Sequence, residues 1–118
     1  MVLVDTSVWI DYFRQGEIAL TTLLEKGDVL CHPFILGELA CGHLHPRKEI
    51  LRHLSTLPFS PAVRNQDVLE FMEMHRFFGL GLGLIDMHLL ASATLAGASL
   101  WSGDKGLKKA AEKLRISF

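Results

Sequence analysis

With 118 residues the chain is long enough for one ordinary hydrophobic core without disulfide or metal staples, and it reads as a single domain, 1–118. Its formal net charge of −1 excludes a uniformly cationic nucleic-acid binder. Its 49% hydrophobic content predicts apolar surface for a second copy or another partner to cover.

Val2-Leu3-Val4 is a β-branched run without polar alternation, which predicts a strand buried on both faces. The cap-forming Asp5-Thr6-Ser7 follows, and a helix is expected from Val8 through Phe13. Glu17 to Lys26 reads as a second helix closed by Gly27, and Val29 to Cys31 as a second strand. Pro33 opens a helix running through Glu38 to about Gly42, and Pro46 opens another over Arg47 to Leu57. A minimal strand is expected around Phe59. Gln66 to Phe78 is amphipathic, with Val68, Leu69, Met72 and Phe78 on the inner side. Gly79, Gly81 and Gly83 then mark a turn, lacking the order and preceding strand of a phosphate loop. Leu84 to Ala96 is a helix rich in small residues, Ser99 to Ser102 a strand, Lys105 to Leu114 a helix and Ile116 to Phe118 a last short strand. Strands alternating with helices predict an α/β fold with a parallel sheet covered on both faces.

Four acidic residues stand out against this frame. Asp5 and Asp104 follow strands, at the carboxyl edge where such sheets bind ligands. Glu38 lies in the helix after the second strand, and Asp86 in the first turn of its helix. Carboxylates among Leu36, Leu39, Ile85, Leu89 and Leu90 are costly to bury without compensation. A hard divalent cation, Mg²⁺ or Mn²⁺, supplies it, so the four are expected to share one cleft. Each also has a plainer reading: Asp5 as a helix cap, Glu38 as a solvent-facing helix residue, Asp86 as a partner of the helix dipole, and Asp104 as a turn residue.

Taken together, the opening Val2 to Ile10, the Gly37 to Gly42 helix, Gly81 to Asp86 continuing through Ala93, and Leu100-Trp101-Ser102-Gly103-Asp104 resemble the PIN-domain family. They are especially similar to its VapC-type toxins, the ribonuclease halves of toxin–antitoxin pairs. The blocks span almost the whole chain in family order. The resemblance implies a three-layer PIN-like domain, with a short parallel sheet flanked by helices. It implies Asp5 and Asp86 as principal metal ligands, Glu38 and Asp104 as the other acidic residues of the catalytic set, and Thr6 or Ser7 as an auxiliary hydroxyl. It also implies an RNA substrate cut by metal-activated water, a cognate antitoxin protein, and a homodimer.

Rival readings are weaker. A phosphate-accepting receiver domain wants an acidic pair after the first strand and an acceptor Asp after the third, where this chain has Asp5 alone and none near Phe59. A non-catalytic PIN-like module binding RNA or protein does not need the complete acidic set. The six histidines form no zinc pattern, and His88, two residues past Asp86, points to another side of its helix. Trp9 and Trp101 read as core. Cys31 and Cys41, without CxxC spacing, read as small apolar fillers in a reducing cytoplasm. No secretory leader or membrane span is legible. Lys105, Lys108, Lys109, Lys113 and Arg115 put five cations into the last fourteen residues.

Overall fold

The computed structural model describes residues 1–118. At its centre is Val2–Val4 (β1), buried at every position, as a strand with helices over both faces must be. Val29–Leu30 (β2) and Ser99–Trp101 (β3) pair with it in parallel on either side, in the order β2-β1-β3. Single parallel bridges, Cys31 to Phe59 and Leu100 to Ser117, add one rung at each edge. The expected strands at Phe59 and at Ile116 to Phe118 shrink to these rungs. Pro58 and Pro61, which cannot donate to a ladder, flank the first, and Arg115, at a left-handed φ of 60°, turns the chain into the second.

The helices are Thr6–Gln15 (α1), Ile18–Glu25 (α2), Pro33–Cys41 (α3), Arg47–Ser55 (α4), Asn65–His75 (α5), Leu84–Ala96 (α6) and Lys105–Lys113 (α7). In α6 every residue from Met87 to Ala93 is buried. A helix enclosed all round belongs to the core, and Ala91, Ser92 and Ala93 leave room for its neighbours. Helix α6 packs against α5, α7 and β3, while α3 bridges α1 and α4. One cluster of 24 buried hydrophobic residues fills the interior. Within it, full burial of a side chain such as Leu3, Ile35 or Leu90 contributes about 1.5–3 kcal/mol.

Two expectations fail locally. Helix α5 ends at His75, because Arg76 takes the left-handed conformation (φ 55°) and Phe77 N–H closes the end on the Met72 carbonyl at 3.0 Å. The helical period stops there, so Phe77 is buried while Phe78 is exposed; Leu69, inside α5, is exposed as well, since Val68 is the one buried residue of that helix. Cys31 is a core filler as read, but Cys41 is exposed at the end of α3.

Candidate active site

Asp5 leaves β1 at its carboxyl end, with its N–H bonded to the Trp101 carbonyl of β3 at 2.9 Å. It occupies the cap position of α1 yet makes no side-chain cap bond. Its Oδ2 instead accepts hydrogen bonds from Ser7 Oγ at 2.9 Å and Ser102 Oγ at 2.8 Å. Each hydroxyl has one proton, and both point at the carboxylate. Their lone pairs in turn accept loop N–H groups, Gly103 on Ser7 and Asp104 on Ser102, both at 3.0 Å. The loop after β3 is thereby locked to Asp5. Asp5 is buried, and these two donors offset the cost of holding its charge there.

Asp104 caps α7, its Oδ1 accepting Leu107 N–H at 2.9 Å. A Cβ on Gly106 would stand 3.3 Å from that oxygen, so the glycine keeps the carboxylate uncrowded. Asp86, half-buried in the first turn of α6, accepts Gly83 N–H on Oδ2 at 3.0 Å. Its pKa is raised, first by burial and further by the charges of Asp5 and Asp104, against the lowering effect of the Gly83 bond. That repulsion marks the three aspartates as neighbours. Glu38 joins through α3: Thr6 Oγ1 donates to its Oε1 at 2.8 Å. Thr6 and Ser7 thus serve different carboxylates.

The plainer readings are partly right. Asp104 does cap its helix, Asp86 does accept an N–H at a helix start, and Glu38 is exposed rather than buried. The buried stripe of α3 runs through Ile35 and Leu39, which leaves Glu38 outside it. The four carboxylates gather on one edge rather than in a deep shared cleft. The largest cavity, about 410 Å³, touches Glu38 but is lined by none of the three aspartates. No three His, Cys, Asp or Glu side chains stand as a ready-made ion cage. The donors nevertheless suit a hard cation: they are all oxygens, and each carboxylate keeps one oxygen free of hydrogen bonds from the chain.

Ser102, expected as the last residue of a strand, lies just past β3 and is a member of the site. Its signal was a hydroxyl residue at the strand's carboxyl end, two before Asp104. His43 and His45 line the same 410 Å³ cavity as Glu38, while His32 and His88 make no hydrogen bond to any of the four acids. His88 Nε2 meets Asn65 Oδ1 at 3.2 Å, and its ring lies edge-on to Phe34 at 4.9 Å. His32 is buried, its Nδ1 accepting Phe34 N–H at 3.0 Å while Nε2 has no partner. Trp9 is buried as expected; Trp101 is half-buried against Phe118, with ring centroids 4.9 Å apart.

Known proteins place the chain in a family. The PIN domain family model matches residues 2–113. Two curated relatives, each named Ribonuclease VapC32, from Mycobacterium tuberculosis strains CDC 1551 and H37Rv, are 42% identical over 119 aligned positions, which cover 100% of this chain and 96% of theirs. Among solved structures, the crystal structure of FitAcB from Neisseria gonorrhoeae superposes with a TM-score of 0.63 at 19% identity, covering 95% of this chain and 94% of that one. This last likeness concerns the fold alone. From the sheet with its acidic edge to the full-length relatives, the chain belongs to the PIN-domain family, on its VapC branch.

Proposed function

We propose that the chain is a Mg²⁺- or Mn²⁺-dependent endoribonuclease, a single-domain cytoplasmic toxin of a type II toxin–antitoxin pair. The observation that carries the reading is the union of Asp5, Glu38 and Asp104 at one sheet edge through Thr6, Ser7 and Ser102, with Asp86 near enough for the charges of Asp5 and Asp104 to help raise its pKa. Asp5 and Asp86 are the metal ligands. A divalent ion bound there supplies charge to the scissile phosphate and acidifies water. The chain's own part is positional. Ser7 and Ser102 fix Asp5, leaving its Oδ1 free, and Gly83 orients Asp86. Glu38, steadied by Thr6, and Asp104, steadied at the head of α7, orient the attacking water in line with the phosphodiester. A binding-only module has no use for a carboxylate set so completely anchored.

The antitoxin has a natural seat. Trp9, Tyr12 and Phe13 of α1, Leu24 of α2, and Ile50 and Leu54 of α4 line an apolar cavity of about 350 Å³. An apolar helix from the antitoxin fits there, with a cationic side chain reaching the acidic edge. Other exposed apolar residues, Phe78, Leu84 and Ile85 among them, suit a homodimer contact. No helix is long and apolar enough to cross a membrane.

Purified chain is expected to cut single-stranded RNA in Mg²⁺ or Mn²⁺ and to stop in EDTA. Ser102→Ala removes a support of Asp5 and is expected to lower activity about 10–100-fold, the usual effect of losing an outer partner of a metal ligand. Excess Mn²⁺ should restore part of it. Cleavage that survives EDTA, or a Ser102→Ala protein as active as wild type, would refute the reading.

A further inference from the structure

Helix α7 begins at Asp104, a member of the acidic cluster, and runs away from it. Its inner side is Leu107, Ala110 and Ala111, all buried. Its outer side carries Lys105, Lys108, Lys109 and Lys113, all exposed, and Arg115 follows. Spacings of three and four residues keep these lysines on one face of the helix. The chain has a single ion pair, Arg64 with Asp67, so none of the five cations is neutralised by a salt bridge. Glu112 is the one acid among them. In a chain of net charge −1, such a concentration beside a carboxylate cluster is a strong local field. Lys109 and Lys113 also wall a small cavity of about 120 Å³ with Leu80 and Leu82 of the glycine turn, the segment that leads into Asp86.

We infer that the outer face of α7 is the phosphate track along which single-stranded RNA leaves the carboxylate edge. The inference rests on the ribonuclease reading and adds where the strand lies. The acidic cluster itself repels phosphates, so affinity must come from elsewhere. Lys105, Lys108 and Lys109 are the nearest run of unpaired cations in sequence to Asp104, and flexible ammonium groups bind successive phosphates without reading bases. The exposed apolar surface of Leu80 beside Lys109 and Lys113 gives a base a wall to rest on.

The test is the salt dependence of binding to a fluorescein-labelled single-stranded RNA in EDTA, which keeps the RNA whole, between about 50 and 200 mM KCl. Each single-strand phosphate contact contributes about 0.7 to the slope of log affinity against log salt. The triple variant Lys105→Gln, Lys108→Gln, Lys109→Gln is therefore expected to lose about 2 units of slope. In Mg²⁺ it should raise KM several-fold and keep kcat, because the lysines lie off the reacting atoms. A control with Lys26→Gln, Lys48→Gln and Arg52→Gln, equal in charge but at the end of α2 and on α4, should keep the slope. Matching melting temperatures exclude misfolding. Equal slopes in both triple variants would overturn the track and leave α7 to an acidic protein partner. Failure of wild type to cut RNA at all would instead strike the ribonuclease reading itself.

Discussion

Asp86→Asn is expected to abolish cleavage, by more than the 10–100-fold typical of an outer partner, and at the same time to stabilise the metal-free protein. The two effects have one cause. Burial and the charges of Asp5 and Asp104 raise the Asp86 pKa, so its ionised form is disfavoured in the native state. A carboxyl whose folded pKa lies above its unfolded value stabilises the protein at low pH, and that contribution is lost as pH rises through the folded pKa. At neutral pH the charge is a burden that asparagine removes, while its amide oxygen still accepts the Gly83 N–H. A bound divalent ion removes the same burden in wild type. At one hundred times its dissociation constant it adds about 2.7 kcal/mol, roughly 10 °C in melting temperature for a domain of this size. Thermal unfolding with and without Mn²⁺ checks both parts. A variant that is less stable without metal, or that gains as much from Mn²⁺ as wild type, contradicts the assignment.

The second large effect concerns acid. His32 is enclosed with Nε2 unpartnered, and burial, then the nearby His88, lower its pKa from 6.5 to about 4. Burial pushes His88 down as well. Between those two values of pH the unfolded chain binds a proton at residue 32 that the native chain refuses. Stability therefore falls as pH drops through that window, by up to about 3 kcal/mol for His32. Asparagine keeps an acceptor for Phe34 N–H at this cap position and does not titrate. In metal-free urea unfolding, the stability difference between wild type and His32→Asn is expected to move in the variant's favour by about that amount from pH 7 to pH 4. A constant difference would mean that the ring is protonated or hydrated in the fold.

The sequence made much of this architecture legible, for physical reasons. Strand β1 is a pure apolar triplet, α6 is mostly apolar or small, and Asp5 and Asp104 come just after strands, so the parallel sheet and its acidic edge both announce themselves. The losses lie where tertiary context decides. Phe77 replaces Phe78 in the core because the left-handed Arg76 resets the helical phase. Glu38 proved exposed because α3 buries only a narrow stripe. Ser102 was invisible as an anchor, since a strand-end serine acquires meaning only when β3 lies beside β1. The local capping of Asp86 and Asp104 was readable, and so was their convergence on Asp5, but the hydroxyl contacts that hold the edge together were not, because Ser102 meets Asp5 from ninety-seven residues away.

The most direct test of metal-assisted hydrolysis by these carboxylates is end-group analysis of the cut RNA. Attack by water leaves a 5′-phosphate and a 3′-hydroxyl, tolerates a 2′-deoxy sugar at the cut site, and ceases in EDTA or with Asp5→Ala. A histidine acid–base mechanism would use the 2′-hydroxyl and survive EDTA. A 5′-phosphate product formed only with divalent metal is the predicted result, and a 2′,3′-cyclic phosphate would contradict it.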